Sequence, residues 1–257
     1  MAENLVKCDF ASPVATVTID RPEVLNAYNE ELLDQLYSIL EELFTADEAA
    51  AVILTSEGNR AFSVGGDIDY LEKLNYEQAK KLSKKGQRLC DLIESSPPVV
   101  IAAVDGYAIG GGMEITLACD IRLASTRSRF GQPEVKLGII PAFGGTQRLP
   151  RLIGEAEAKE LLYTGDIIDA DLAYELGLIN KVVTPRSLLS EARELAVEIT
   201  DRSTKAVKLI KKAVNKTYLE TSRTGYDYES EAFAECFKTE EHRVRIREMK
   251  RFVKEDG

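Results

Sequence analysis

The stretch GYAIGGGMEITLACD, Gly106 to Asp120, decides how this chain is read. A β-branched, apolar run, Val99 to Val104, leads into it and reads as a buried strand, and a short apolar helix leaves it. Glycine tolerates positive φ and lets a ligand approach the backbone closely. The free N–H groups at a helix start face outward, and the helix dipole favours negative charge there. Such a turn can hold a phosphate or the oxyanion of a thioester. No Gly-Lys-Ser/Thr follows, and the spacing is not G-x-G-x-x-G, so a P-loop and a dinucleotide fingerprint are both excluded. A tight turn needed only for packing is the plain alternative.

Outward from this turn, strands alternate with helices. Val14 to Asp20 (VATVTID) alternates as a half-buried strand, and Asn29 caps a helix predicted over 30–44. Ala51 to Thr55 reads as a short buried strand, 56–66 as a loop ending in Gly65-Gly66, and 76–95 as a long helix broken by Pro97-Pro98. A further strand is expected near 120–124. From about 144 the chain reads as mostly helical, with Pro185, Ser203 and Thr221 as helix starts. The class is α/β, with a helical last third over about 200–257.

Composition sets the outer limits. The 257 residues are 44% hydrophobic and 30% charged, an ordinary globular balance and not a disordered one. With 33 basic and 43 acidic residues the net charge is −10, so bulk charge does not attract nucleic acid. The four cysteines, Cys8, Cys90, Cys119 and Cys236, have no metal-ligand spacing and fit a reducing compartment. The opening MAENLVKCDF lacks the features of a secretory signal. The least polar stretch, Val99 to Cys119, carries Asp105, Glu114 and four glycines, which marks buried core rather than a membrane helix.

Two acids are candidates for chemistry. Glu114 lies in the first turn of the helix after the glycines, among Met113, Ile115 and Leu117. Apolar surroundings push a carboxyl toward general acid/base use, while a glutamate capping its own helix is the alternative. Glu134 follows in FGQPEVKLG, where Pro133 fixes the loop, and the two acids could converge on one site. His242, the only histidine, sits in the charged segment EEHRVRIR and is expected to be solvated, which leaves no Ser-His-Asp or Cys-His machinery and no zinc site. The basic run of Arg202, Lys205, Lys208, Lys211, Lys212 and Lys216 is expected to form a mainly solvated face.

Several motifs in order resemble the crotonase superfamily, specifically the enoyl-CoA hydratases. They are RPEVLNA (Arg21 to Ala27), AFSVGGDI (Ala61 to Ile68), AAVDGYAIGGGMEITLACDIRLAS (Ala102 to Ser125), FGQPEVKLGIIPAFGGTQRLPRLIG (Phe130 to Gly154) and TGDIIDADLAYELGLINKVV (Thr164 to Val183). The resemblance implies a spiral of ββα units over 1–199 carrying the coenzyme A and active site, and a helical region over 200–257 that makes oligomer contacts. It implies an oxyanion hole from the N–H groups of Gly66 and Gly111, and Glu114 and Glu134 as the catalytic pair. The backbone around Ser63, Val64, Gly65 and Gly110 would meet the cofactor part of the substrate. The implied reaction is syn addition of water to a short- to medium-chain trans-2-enoyl-CoA, with no metal and no cofactor beyond the substrate's own CoA. A cytoplasmic homotrimer or homohexamer that binds neither nucleic acid nor membrane is expected. The alternatives are an enoyl-CoA isomerase or another CoA lyase, and a non-catalytic RNA-binding relative. Leu71, Leu74, Ile139, Ile140 and Phe143 are expected to wall the acyl pocket. Two departures stand out: Asp69 occupies a position where hydratases often carry a phosphate-binding lysine, and the C-terminal helix lacks the usual Glu-Gly pair. Arg243, Arg247, Lys250 and Arg251 are therefore expected to take over part of phosphate binding.

Overall fold

A computed structural model describes residues 4–238 and 240–255, with the side chains of 216–229 and several later positions outside the description. β1 (Val6–Ala11) and β2 (Val14–Ile19) form an antiparallel hairpin with Val6 opposite Ile19. In β2, Ala15, Val17 and Ile19 are buried and the residues between them half-buried, as the alternation requires. α1 (Glu30–Ala46) begins where the Asn29 side chain accepts the Leu32 N–H, and it buries Leu32, Leu33, Leu36, Leu40 and Phe44. β3 (Ala51–Ser56) is followed by β4 (Ala61–Ser63), a strand inside the stretch expected to be loop; three residues carry no period to detect. After the one-turn α2 (Ile68–Leu71), a capping box between Asn75 and Gln78 opens α3 (Tyr76–Ser95).

The centre of the chain repeats this pattern. β5 (Val99–Val104) is buried at every position and leads through β6 (Tyr107–Ile109) into α4 (Gly111–Ala118), all eight residues of which are buried. β7 (Ile121–Ser125) and β8 (Arg129–Gly131) lead through a 3-10 turn over Pro133–Leu137 to α5 (Gly145–Ile153) and α6 (Glu155–Thr164). Then come β9 (Ile167–Asp169), α7 (Ala170–Glu175), β10 (Lys181–Val183), α8 (Leu188–Thr200), α9 (Thr204–Cys236) and α10 (Glu241–Glu255). One sheet has the order β1-β2-β3-β5-β7-β10, parallel from β2 onward, and the other β4-β6-β8-β9. Each of three successive units, starting at β3, β5 and β7, puts a strand into each sheet and then a helix or helical turn. That is the expected spiral of ββα units.

The C-terminal helices bring two corrections. Thr221 does not start a helix but lies within the unbroken α9, because no Gly or Pro precedes it closely enough to end one. His242 is not solvated; it is fully buried, with its ring tilted 43° to that of Phe237 and the ring centroids 4.3 Å apart. Its charged neighbours suggested solvent, but the helical period places it with the buried Ile246 on the inner face of α10. Among the described residues neither ring nitrogen has a hydrogen-bond partner.

Candidate active site

Two glycine turns meet where β4 and β6 end. Gly65, at φ +84°, lies so close to the second turn that a Cβ there would stand 3.0 Å from the Gly111 nitrogen. Gly110, at φ 53° and ψ −130°, turns the chain out of β6 into α4. The first turn is braced from behind. The Ser63 hydroxyl donates to the Asn26 carbonyl at 2.7 Å and accepts the Gly65 N–H at 3.1 Å. The Tyr28 N–H donates to the Gly65 carbonyl at 2.7 Å, and the Asp67 N–H donates to the Tyr28 carbonyl at 2.8 Å. This grip straddles Gly66 and leaves its N–H unused. Neither the Gly66 nor the Gly111 amide donates to any described group. Gly111 is the first residue of α4, where the helix geometry supplies no acceptor.

Both candidate acids come to this turn. Glu114 sits one helical turn into α4, and its N–H takes the Gly110 carbonyl at 2.9 Å. Its side chain is 2% exposed and does not cap its own helix. Instead Oε1 accepts the N–H groups of Phe143 and Gly145, both at 2.7 Å, and Oε2 accepts that of Ala142 at 3.4 Å. The apolar sequence neighbours of Glu114 thus hide a polar cradle from a loop about thirty residues downstream. Glu134 opens the 3-10 turn and is 9% exposed. Its Oε1 lies 3.0 Å from where a Cβ on Gly110 would stand. With the Gln132 amide turned so that its nitrogen faces the acid, Gln132 donates to both Glu134 oxygens, at 3.1 and 3.3 Å. Sequence reasoning gave Gln132 no role; its place two residues before Glu134, across Pro133, was the available signal.

Apolar side chains close the sides. A Cβ on Gly66 would stand 2.9 Å from Leu71 Cδ1, and one on Gly111 3.1 Å from the Phe143 ring. Of the other expected wall residues, Leu74 and Ile139 are buried and Ile140 is half-buried. The Ser63 side chain is fully buried in its two bonds, and the Val64 N–H is taken by the Leu25 carbonyl, so only other atoms of this segment are open to a ligand. Burial pushes the Cys119 thiol up to about 12 and that of Cys90 well above its ordinary value, so neither is suited to act as a nucleophile.

Three of the four basic residues expected to meet the phosphates are paired with acids of this chain. Arg247 donates to Glu72 at 2.9 Å, Lys250 pairs with Glu72 and Asp69, and Arg243 pairs with Glu240. Asp69, which replaces the expected lysine, thus has its cation supplied from α10. Lys250 and Arg247 together hold the Glu72 carboxyl at about 2. In the basic run of α9, Lys211 is buried against Asp120 and Lys208 pairs with Asp47. The Lys216 side chain lies outside the described residues.

Known proteins share this fold. Residues 9–256 match the family described as enoyl-CoA hydratase/isomerase. The chain belongs to the enoyl-CoA hydratase/isomerase family. A short-chain-enoyl-CoA hydratase from Clostridium acetobutylicum is 44% identical over 95% of this chain and 93% of its own. A crotonyl-CoA hydratase from Syntrophomonas wolfei is 40% identical over 94% and 92%. The crystal structure of an enoyl-CoA hydratase from Bacillus anthracis superposes with a TM-score of 0.82 at 35% identity, covering 98% of this chain and 96% of that one. Membership accounts for the paired sheets.

Proposed function

We propose that this chain is an enoyl-CoA hydratase that adds water syn across the double bond of a short trans-2-enoyl-CoA, giving the 3-hydroxyacyl-CoA. The observation that carries the reading is the Glu134 carboxyl held against Gly110, one helical turn before the buried Glu114 and next to the unused N–H groups of Gly66 and Gly111. The thioester oxygen is placed between those two amides, which stabilise the enolate that develops as water attacks. One water is placed between the carboxylates. Glu114 takes its proton as the oxygen bonds to C3, and Glu134 delivers a proton to C2. The water's oxygen and the C2 proton arrive on the same face because both acids stand on that face. The backbone of 63–65 and Gly110 receives the CoA moiety. Neither a metal nor a redox group has a step in this scheme.

The region over 200–257 is assigned to contacts between copies, as trimers or pairs of trimers. Leu209, Ile210 and Val214 support this, since they leave an apolar strip exposed on α9. None of the four cysteines is in a disulfide among the described residues, in keeping with a cytoplasmic setting. No described helix is long and apolar enough to cross a membrane.

The test is a panel of CoA esters. Crotonyl-CoA is expected to lose its conjugated absorbance and give 3-hydroxybutyryl-CoA. Leu71 and Phe143, seated against the two amide turns, are expected to make kcat/KM higher for four-carbon than for ten-carbon substrates. The reverse order would remove those two residues as the wall. Conversion of a 3-enoyl-CoA without any hydroxy product would favour an isomerase and count against hydration.

A further inference from the structure

A buried polar trio lies behind the loop that cradles Glu114. Ser83 and Gln87 are one turn apart on α3, Ser230 is on α9, and they are 0, 3 and 0% exposed. The Ser83 and Ser230 hydroxyls are 3.0 Å apart, Ser230 donates to Gln87 Oε1 at 3.0 Å, and Gln87 Nε2 donates to Ser83 at 3.3 Å. Three polar groups in a core are costly unless each is used. Two of them converge on one carbonyl: Ser83 Oγ donates to the Ala142 oxygen at 2.8 Å, and Gln87 Nε2 donates to the same oxygen at 3.3 Å. That carbonyl belongs to the same peptide unit as the Phe143 N–H. In a trans peptide the two point in opposite directions. The trio therefore holds the back of the peptide whose front donates to Glu114 at 2.7 Å. A donor on a carbonyl also polarises the peptide and strengthens its N–H as a donor.

We infer that Ser83 is a positioning residue for Glu114, acting through the Ala142–Phe143 peptide, and that Ser230 ties this control to the docking of α9. The inference rests on the proposed role of Glu114. It links two serines 147 residues apart to one carboxylate, so the C-terminal helix takes part in setting the active-site geometry. Arg148 braces the next peptide of the loop in the same way, donating to the Phe143 carbonyl at 3.0 Å.

The experiment compares Ser83→Ala, Ser83→Thr, Ser230→Ala, Glu114→Gln and the double variant Ser83→Ala/Glu114→Gln on crotonyl-CoA, with thermal midpoints to establish that each is folded. Ser83→Ala is expected to lower kcat about tenfold and leave KM within about twofold. Ser83→Thr, which keeps the hydroxyl, is expected to recover most of the loss, and Ser230→Ala to show a smaller fall in kcat. In the Glu114→Gln background, Ser83→Ala is expected to cost nothing further. Equal losses added in the double variant, or an unchanged kcat in Ser83→Ala, would overturn the inference; the double variant decides if the threonine variant does not fold. Full activity in Glu114→Gln would instead sink the role given to Glu114 itself.

Discussion

Glu134→Gln is expected to lower kcat for crotonyl-CoA hydration by about 10²–10⁴-fold, the usual worth of a general acid or base, with KM changed little. The substitution keeps the shape of a 9% exposed side chain and removes only its ability to carry the proton to C2. Its partner Gln132 can turn its own amide to meet the new one, so the fold should lose little. Glu114→Gln is expected to fall within the same range. A glutamine whose oxygen takes the Oε1 position keeps both 2.7 Å bonds, to Phe143 and Gly145, and gives up the longer one to Ala142. Steady-state rates on purified, folded variants decide both cases. A Glu134→Gln enzyme with full activity would remove Glu134 from the reaction.

Lys211→Met is expected to destabilise the chain by about 3 kcal/mol at pH 7, because it strands a buried acid. Lys211 is 8% exposed, and its ammonium donates to the carbonyls of Ile93 and Pro98, the Ser96 hydroxyl and Asp120. These partners close the end of α3 and the edges of β5 and β7, so one side chain holds α9 to the sheet. Burial raises the pKa of the Asp120 carboxyl, against the opposing pull of Lys211. A carboxyl whose folded pKa is raised binds protons more readily in the native state, so its cost to folding fades as pH falls through that pKa. Without Lys211 the rise becomes larger. The stability deficit of Lys211→Met is therefore expected to narrow from pH 7 to pH 5, read from urea midpoints at each pH. A deficit that is constant with pH would mean that lost packing of the lysine stem, and not the stranded carboxylate, accounts for it.

What could be read from the sequence was what is local. α1 and α3 were legible because long helices repeat their apolar positions, Asn29 caps the first and Pro97-Pro98 ends the second. β4, β6, β8 and β9 were not, since three residues carry no period; yet they form the whole second sheet. Both glycine turns and both acids were visible in their motifs. The surroundings of Glu114 were not, because the amides of Ala142, Phe143 and Gly145 that donate to it come from 28 to 31 residues away and its sequence neighbours are apolar. The partners of Lys250 and Arg247, at α2 and its C-terminal end, lie more than 170 residues off, so the cluster expected at the phosphates closes on Asp69 and Glu72. His242 was misread for a different reason: its neighbours are charged, but its spacing to Ile246 already pointed inward.

The most direct test of the account is hydration of crotonyl-CoA in D₂O, with the product examined by proton NMR. Two acids on one face sharing one water should place the hydroxyl on C3 and a single deuterium at one of the two C2 positions, on the side that took the hydroxyl. A 3-hydroxybutyryl product with deuterium scrambled over both C2 positions, or placed opposite the hydroxyl, would contradict it.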